Sequence, residues 1–198
     1  ENGYKAGRFL RASDLGMSGE NNEWKPVIQD KLSQQLLVPN GTMGQRWEEG
    51  KKWNLKLETE DGTPIDPMLS MVESDYHVET IQFPYFDSSG DGIFERPIAT
   101  RTIQLANGEE VKIATVYDLM TSQYGVQRFE HELEATSYDD ASSKYTPAWQ
   151  EQITGIKKEL VTKVAKEFAQ NAIDTGGRSM IIMGAGINHW FNSDTIYR

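Results

Sequence analysis

Eight apolar residues, Ile156, Leu160, Val161, Val164, Ala165, Phe168, Ala169 and Ala172, recur at the spacing that lays one broad stripe along a helix. Lys157, Lys158, Lys163, Lys166 and Glu167 fall largely on the opposite side. A helix of this kind must cover its stripe, so it constrains the fold more than any other stretch. Its limits are marked. Thr146 and Pro147 form a helix start, because a hydroxyl caps free amides and proline at the first position gives up no needed donor. A short helix is expected over 147–153, stopped at Gly155, and the long one from residue 156 to the pair Gly176-Gly177.

Residues 179–183 (Ser-Met-Ile-Ile-Met) then read as a buried strand, being short, glycine-bounded and almost wholly apolar. Gly184 and Gly186 are expected to turn the chain tightly at its end. Helix, strand and glycine turn suggest an α/β layer, in which ligands sit beyond the carboxyl ends of strands.

The preceding residues read differently. Ile103 and Leu105 alternate on one side of Asn107-Gly108, Val111 and Ile113 on the other, a hairpin signal with strands over 98–105 and 110–116. Residues 80–86 are aromatic and β-prone, and 53–58 alternate as a half-buried strand. Short helices are expected over 4–15, 117–123 and 126–134. Met68, Leu69, Met71 and Val72 sit in a proline-bearing loop and need a cover. The chain is thus expected to be mixed α and β: a β-rich segment with short helices and hairpins over 1–139, then a helix–strand α/β unit over 140–198.

Composition removes several chemistries. With no cysteine, these residues hold no thiolate zinc, no iron–sulfur cluster and no cysteine nucleophile. A net charge of -10 argues against nucleic acid or an anionic membrane surface as a direct partner. No run is long and apolar enough to span a bilayer. The segment Asp87-Ser88-Ser89-Gly90-Asp91-Gly92 opens like a calcium loop, but Ile98 stands where the closing acid belongs, so it reads as a turn. His77 and His131 show no ligand spacing, and Asp139-Asp140 reads as a solvated pair. Gly184-Ala185-Gly186, followed by Asn188 and His189, is half of a dinucleotide fingerprint and lacks the third glycine.

Several stretches, taken together and in order, resemble the catalytic alpha subunits of membrane-bound respiratory nitrate reductases, within the molybdopterin (dimethyl sulfoxide reductase) family. They include Gly7-Arg8-Phe9-Leu10-Arg11-Ala12, Asn21-Asn22-Glu23-Trp24-Lys25, Val38-Pro39-Asn40-Gly41, Lys52-Trp53-Asn54-Leu55, Phe83-Pro84-Tyr85-Phe86, Thr115-Val116-Tyr117-Asp118-Leu119, Ala135-Thr136-Ser137-Tyr138-Asp139-Asp140 and residues 145–190. The resemblance implies an internal piece of a larger subunit, inactive by itself. That subunit would hold molybdenum through two guanine-dinucleotide pterins, together with a 4Fe–4S cluster.

It also implies an iron–sulfur beta subunit and a haem-containing membrane gamma subunit as partners, at the cytoplasmic face of the cell membrane. Electrons would pass from quinol to nitrate. Gly184, Gly186 and Asn188 are implied as cofactor contacts and His189 as the group on the substrate side of the metal. The metal and cluster ligands would lie upstream of this chain, so no metal ligand is assigned here and no cofactor is expected on the piece alone. Two other readings are a sister oxyanion reductase, acting on chlorate or selenate, and a non-catalytic scaffold in which the glycine turn is structural. An uncovered apolar patch near Ile181, Ile187 and Trp190 is expected in the isolated piece, with self-association.

Overall fold

A computed structural model describes residues 7–40, 57–87 and 90–191. The chain divides into two compact units, Glu1–Ala135 and Thr136–Arg198. Its class is the expected mixture of α and β.

The first unit opens on a 3-10 turn, Ala12–Leu15, rather than the helix expected over 4–15, of which residues 4–6 lie outside the described residues. Arg11 is extended and bridges to Pro26, while its N–H is taken by the Asp14 carboxylate. That side-chain acceptor competes with the backbone ladder and confines the helix to one turn. Two short strands follow, β1 (Ile28–Gln29) and β2 (Leu36–Leu37), paired antiparallel with Ile28 opposite Leu37. Asp30 beside them is buried and accepts from Ser33 N–H, Ser33 Oγ and Asp66 N–H at 2.7, 2.6 and 2.9 Å. It therefore ties the loop to the chain 36 residues on.

The main sheet has three antiparallel strands, β3 (His77–Asp87), β4 (Gly90–Gln104) and β5 (Glu110–Ile113), with β4 central. Thr80 to Phe86 does lie in a strand. β4 is longer at its start than the alternation signalled, because Phe94, Glu95, Arg96 and Pro97 pair with β3 although they do not alternate cleanly. The register runs to Asp87 opposite Gly90, so Asp87, Gly90, Asp91 and Gly92 of the segment that opened like a calcium loop lie in paired strands. β4 and β5 pair with Ile103 opposite Val111, as their alternation requires. Gly108 has φ +84° in the connection, a conformation that favours glycine. The strand expected over 53–58 falls mostly outside the described residues.

Ile98, Ala99 and Phe83 of this sheet form a core with Met68, Met71 and Ile65. Met68 and Met71 thus find their cover, whereas Leu69 and Val72 stay exposed. α1 (Val116–Gln123) lies where helix was expected. No helix forms over 126–134. The Glu134 carboxylate accepts from the N–H groups of Arg128, Phe129 and His131, and Glu130 takes φ +54°. A side-chain acceptor again replaces the carbonyls of a helix.

In the second unit α2 (Pro147–Thr154) starts and stops at the residues the sequence marks, while α3 (Lys158–Thr175) stops at Gly176 as expected but starts two residues later than the stripe's first member, Ile156. Thr146 Oγ accepts from Trp149 N–H at 3.1 Å, Pro147 is the first helical residue, and Gly155 adopts φ +72°. Thr146→Ala removes that cap and is expected to lower the stability of α2 by about 1 kcal/mol, measured as faster amide exchange in its first turn. Asp140 accepts from Ser142 and Ser143, and Asp139 pairs with Lys158 at 2.6 Å.

The α3 stripe is the point at which this unit differs from a finished domain. Leu160 and Val164 are 54% and 55% exposed, and α3 contains no buried residue. Each such side chain would contribute about 1.5–3 kcal/mol if fully covered.

Candidate functional site

The chain reverses after α3 through Gly176 (φ +67°) and Gly177, whose N–H donates to Ala172 O at 2.7 Å. Asn171 Nδ2 then donates to Arg178 O and Ser179 Oγ at 3.1 and 2.8 Å, and Ser179 Oγ donates to Phe168 O at 2.9 Å. These bonds fasten the start of the apolar run to the penultimate turns of the helix. The run therefore sets out from a fixed point and leads into Gly184 to His189.

Among the described residues, the strand expected over 179–183 is not formed, and residues 178–184 carry neither helix nor strand. A strand needs a neighbour for its backbone groups, and none is present in the described residues of this unit. Met180, Ile181, Ile182 and Met183 are all exposed, Ile182 by 82%, as are Trp190 and Phe191. The uncovered patch around Ile181 and Trp190 is thus present, while the side chain of Ile187 is not among those described.

α4 (Ala185–Asn188) turns the chain immediately after the run, and His189 follows it. The structure therefore places Gly184, Gly186, Asn188 and His189 in and beside one helical turn. The chain does turn here, but neither glycine takes a positive φ, so the turn itself does not require glycine at either position. Neither is crowded: a Cβ built at either position meets nothing within 4 Å. Two glycines without steric or conformational need inside the chain leave bare, open backbone, which suits close approach by a group from outside. His189 is exposed, and its side chain makes no hydrogen bond or ion pair among the described residues.

An open groove of about 530 Å³ in the same unit is lined by Tyr138, Asp139, Lys158, Thr162 and Lys166 among others, and none of residues 184–189 contributes to it. Among the described residues no group of three His, Asp or Glu could hold a metal ion, and no helix is long and apolar enough to cross a membrane. His131 is structural, its Nδ1 accepting from Leu133 N–H at 3.2 Å.

A buried network in the first unit escaped the sequence reading. Asp118 is 0% exposed. It accepts from Ser70 Oγ at 2.6 Å, Met71 N–H at 2.7 Å, Thr115 Oγ at 2.8 Å and Arg128 Nη1 at 2.5 Å. Burial pushes its carboxyl up, but the bonds from Met71, Ser70, Arg128 and Thr115 outweigh that and hold it below the usual carboxylate range. Thr115 three residues before Asp118, with Asp118 N–H donating back to Thr115 Oγ, was a readable helix-start pattern. The partners at Ser70 and Arg128 were not readable.

No family model matches the chain. Individual relatives do. The chain is 54% identical over 200 residues to the nitrate reductase alpha chain of Bacillus subtilis (strain 168), a match covering 100% of this chain and 16% of that relative. It is 42% identical to the respiratory nitrate reductase 1 alpha chain of Escherichia coli (strain K12), over 98% of this chain and 17% of the relative. The perchlorate reductase subunit alpha of Dechloromonas aromatica (strain RCB) is 22% identical over 96% of this chain and 16% of its own length. Matched over its full length, the chain belongs to the nitrate reductase alpha-chain family, as a segment spanning 16–17% of the first two of these relatives.

Proposed function

We propose that this chain is part of a molybdenum-dependent respiratory nitrate reductase, which reduces nitrate to nitrite with electrons delivered from quinol through partner subunits. The observation that carries the proposal is the 54% identity sustained over the whole chain with a nitrate reductase alpha chain. The open backbone at Gly184 and Gly186 supports it locally, since a broad pterin can lie against glycine where any larger side chain would intervene.

In this reading Gly184, Gly186 and Asn188 hold the edge of the molybdenum bis(guanine dinucleotide) cofactor. The molybdenum centre, when bound, supplies the oxygen-transfer chemistry. The polypeptide supplies orientation and charge. His189 presents imidazole N–H to an oxygen of the nitrate anion and stabilises the negative charge there. Reduction of nitrate to nitrite takes two electrons and two protons and releases water. The protein must therefore deliver protons as well as bind an anion, and an imidazole is suited to both.

The 4Fe–4S cluster belongs to another part of the full subunit, because no residue here offers a thiolate. The iron–sulfur beta subunit and the haem-containing gamma subunit are the proposed partners, with the assembly at the cytoplasmic face of the membrane.

The test uses the native full-length product, captured with an antibody raised against this chain. Molybdenum content is measured together with nitrate-dependent oxidation of a reduced dye. Metal and activity together are expected; an intact preparation with neither overturns the proposal and favours a non-catalytic scaffold. The likeness to a perchlorate reductase subunit favours one second reading, a reductase of another oxyanion. In that case turnover on chlorate or perchlorate exceeds turnover on nitrate.

A further inference from the structure

Groups that meet a cofactor or a reacting anion must be held to within about 0.5 Å, so residues 184–189 need a fixed origin. Among the described residues, no hydrogen bond joins residues 180–183 to the rest of the unit. The nearest fixed point upstream is the junction with α3 at Arg178 and Ser179. Only the short run 180–183 separates Ser179 from Gly184, a reach of at most about 18 Å, so a shift at Ser179 is carried forward to the candidate site.

Two α3 side chains build that junction, with different reach. Thr175 Oγ1 accepts from Arg178 N–H at 3.1 Å and donates to Asn171 O at 2.5 Å, which closes the helix end locally. Asn171 reaches past the glycine pair. Its Nδ2 carries two hydrogens and uses both, one on Arg178 O at 3.1 Å and the other on Ser179 Oγ at 2.8 Å. The Ser179 hydroxyl donates its own hydrogen to Phe168 O at 2.9 Å, so the relay closes on the helix one turn back. Arg178 O can only accept, which requires the amide nitrogen, not its oxygen, to face the chain.

Stability alone is a poor account of this clasp. α3 already stops at Gly176, and Gly177 N–H already donates to Ala172 O, without any help from Asn171. Exposed hydrogen bonds of this kind contribute little net stability. What two hydrogens on two consecutive residues do fix is a place and a direction. We propose that Asn171 is a positioning residue for residues 184–189: through Arg178 O and Ser179 Oγ it sets how the chain leaves α3, and thereby where the open glycine backbone and His189 stand. The inference rests on the proposed role of that segment in the nitrate-reducing site.

The experiment compares Asn171→Asp, Ser179→Ala and Ser179→Thr in the full-length enzyme. Aspartate keeps the shape of asparagine but has no hydrogen to give, and it turns a carboxylate oxygen toward Arg178 O. Nitrate turnover, counted per bound molybdenum, is expected to fall about 100-fold in Asn171→Asp and about tenfold in Ser179→Ala, the range seen when a reacting group is displaced by about 1 Å or loses an orienting partner. Ser179→Thr keeps the hydroxyl and should recover most of the loss.

Amide exchange in the same variants separates positioning from folding. It should quicken in peptides spanning 178–190 and stay unchanged over 158–170 of α3. Wild-type turnover with wild-type exchange over 178–190 in Asn171→Asp overturns the proposal. So does loss of protection along α3 in step with activity, which makes the clasp part of the helix only, and so does a Ser179→Thr enzyme no better than Ser179→Ala. If the wild-type enzyme holds no molybdenum and reduces no nitrate, the functional reading falls, while exchange over 178–190 still decides whether Asn171 holds the segment.

Discussion

Asp118→Ala is expected to destabilise the first unit by about 3–5 kcal/mol, the loss typical of breaking a buried ion pair from one side. The substitution leaves the Arg128 guanidinium, 14% exposed, without its carboxylate, and strands Ser70 Oγ and Met71 N–H in the same buried place. Arg128 also donates to Ser70 Oγ and Thr121 Oγ and lies against the rings of Tyr117 and Phe129. It therefore cannot swing out without breaking those contacts as well. Three separated stretches, around Ser70, Thr115 and Arg128, all donate to this carboxylate, so its removal loosens all of them. Urea denaturation followed by tryptophan fluorescence measures the loss. A change below 1 kcal/mol would show that the network is not held as described.

The same group carries a pH dependence whose sign follows from its lowered pKa. The stabilisation is fully present above the unfolded-state value near 3.8 and is lost as pH falls through the lower folded-state value. Wild-type stability should therefore drop more steeply below about pH 4 than that of Asp118→Asn, which has no carboxylate to protonate there.

His189→Ala in the full-length enzyme is expected to reduce nitrate turnover by about 10²–10³-fold, the loss typical of removing one preorganised hydrogen-bond donor from a developing anion. Folding should be retained, because the side chain is exposed and makes no polar contact among the described residues. Molybdenum content separates two ways of losing activity. Retained metal places the imidazole at the substrate, and lost metal places it among the groups that hold the cofactor. Unchanged turnover with unchanged metal rejects both and leaves the turn at Gly184 to His189 structural.

The helix ends show where local chemistry sufficed. Thr146, Pro147 and Gly155 bracket α2, and Gly176 ends α3, because capping and left-handed stops act within a few residues. The Asn107-Gly108 hairpin was legible for the same reason. Residues 4–15 and 126–134 misled because Asp14 and Glu134 carboxylates take over backbone N–H groups, and apolar spacing says nothing of where a carboxylate will point. At the candidate site the residue types, two glycines followed by asparagine and histidine, were visible in order. That a Cβ at either glycine would meet open space required the backbone.

Sequence alone thus determined the limits of α2, the stop of α3, the Asn107-Gly108 hairpin, the apolar character of residues 180–183 and kinship with nitrate reductase alpha chains. These follow from interactions over a few residues, or from identity summed over the whole chain. Only the tertiary structure decided that Asp118 is the buried centre joining Ser70, Thr115 and Arg128, and that the α3 stripe and residues 180–183 stay uncovered within these residues. Burial and long-range pairing depend on which distant segments meet, and no local pattern carries that information.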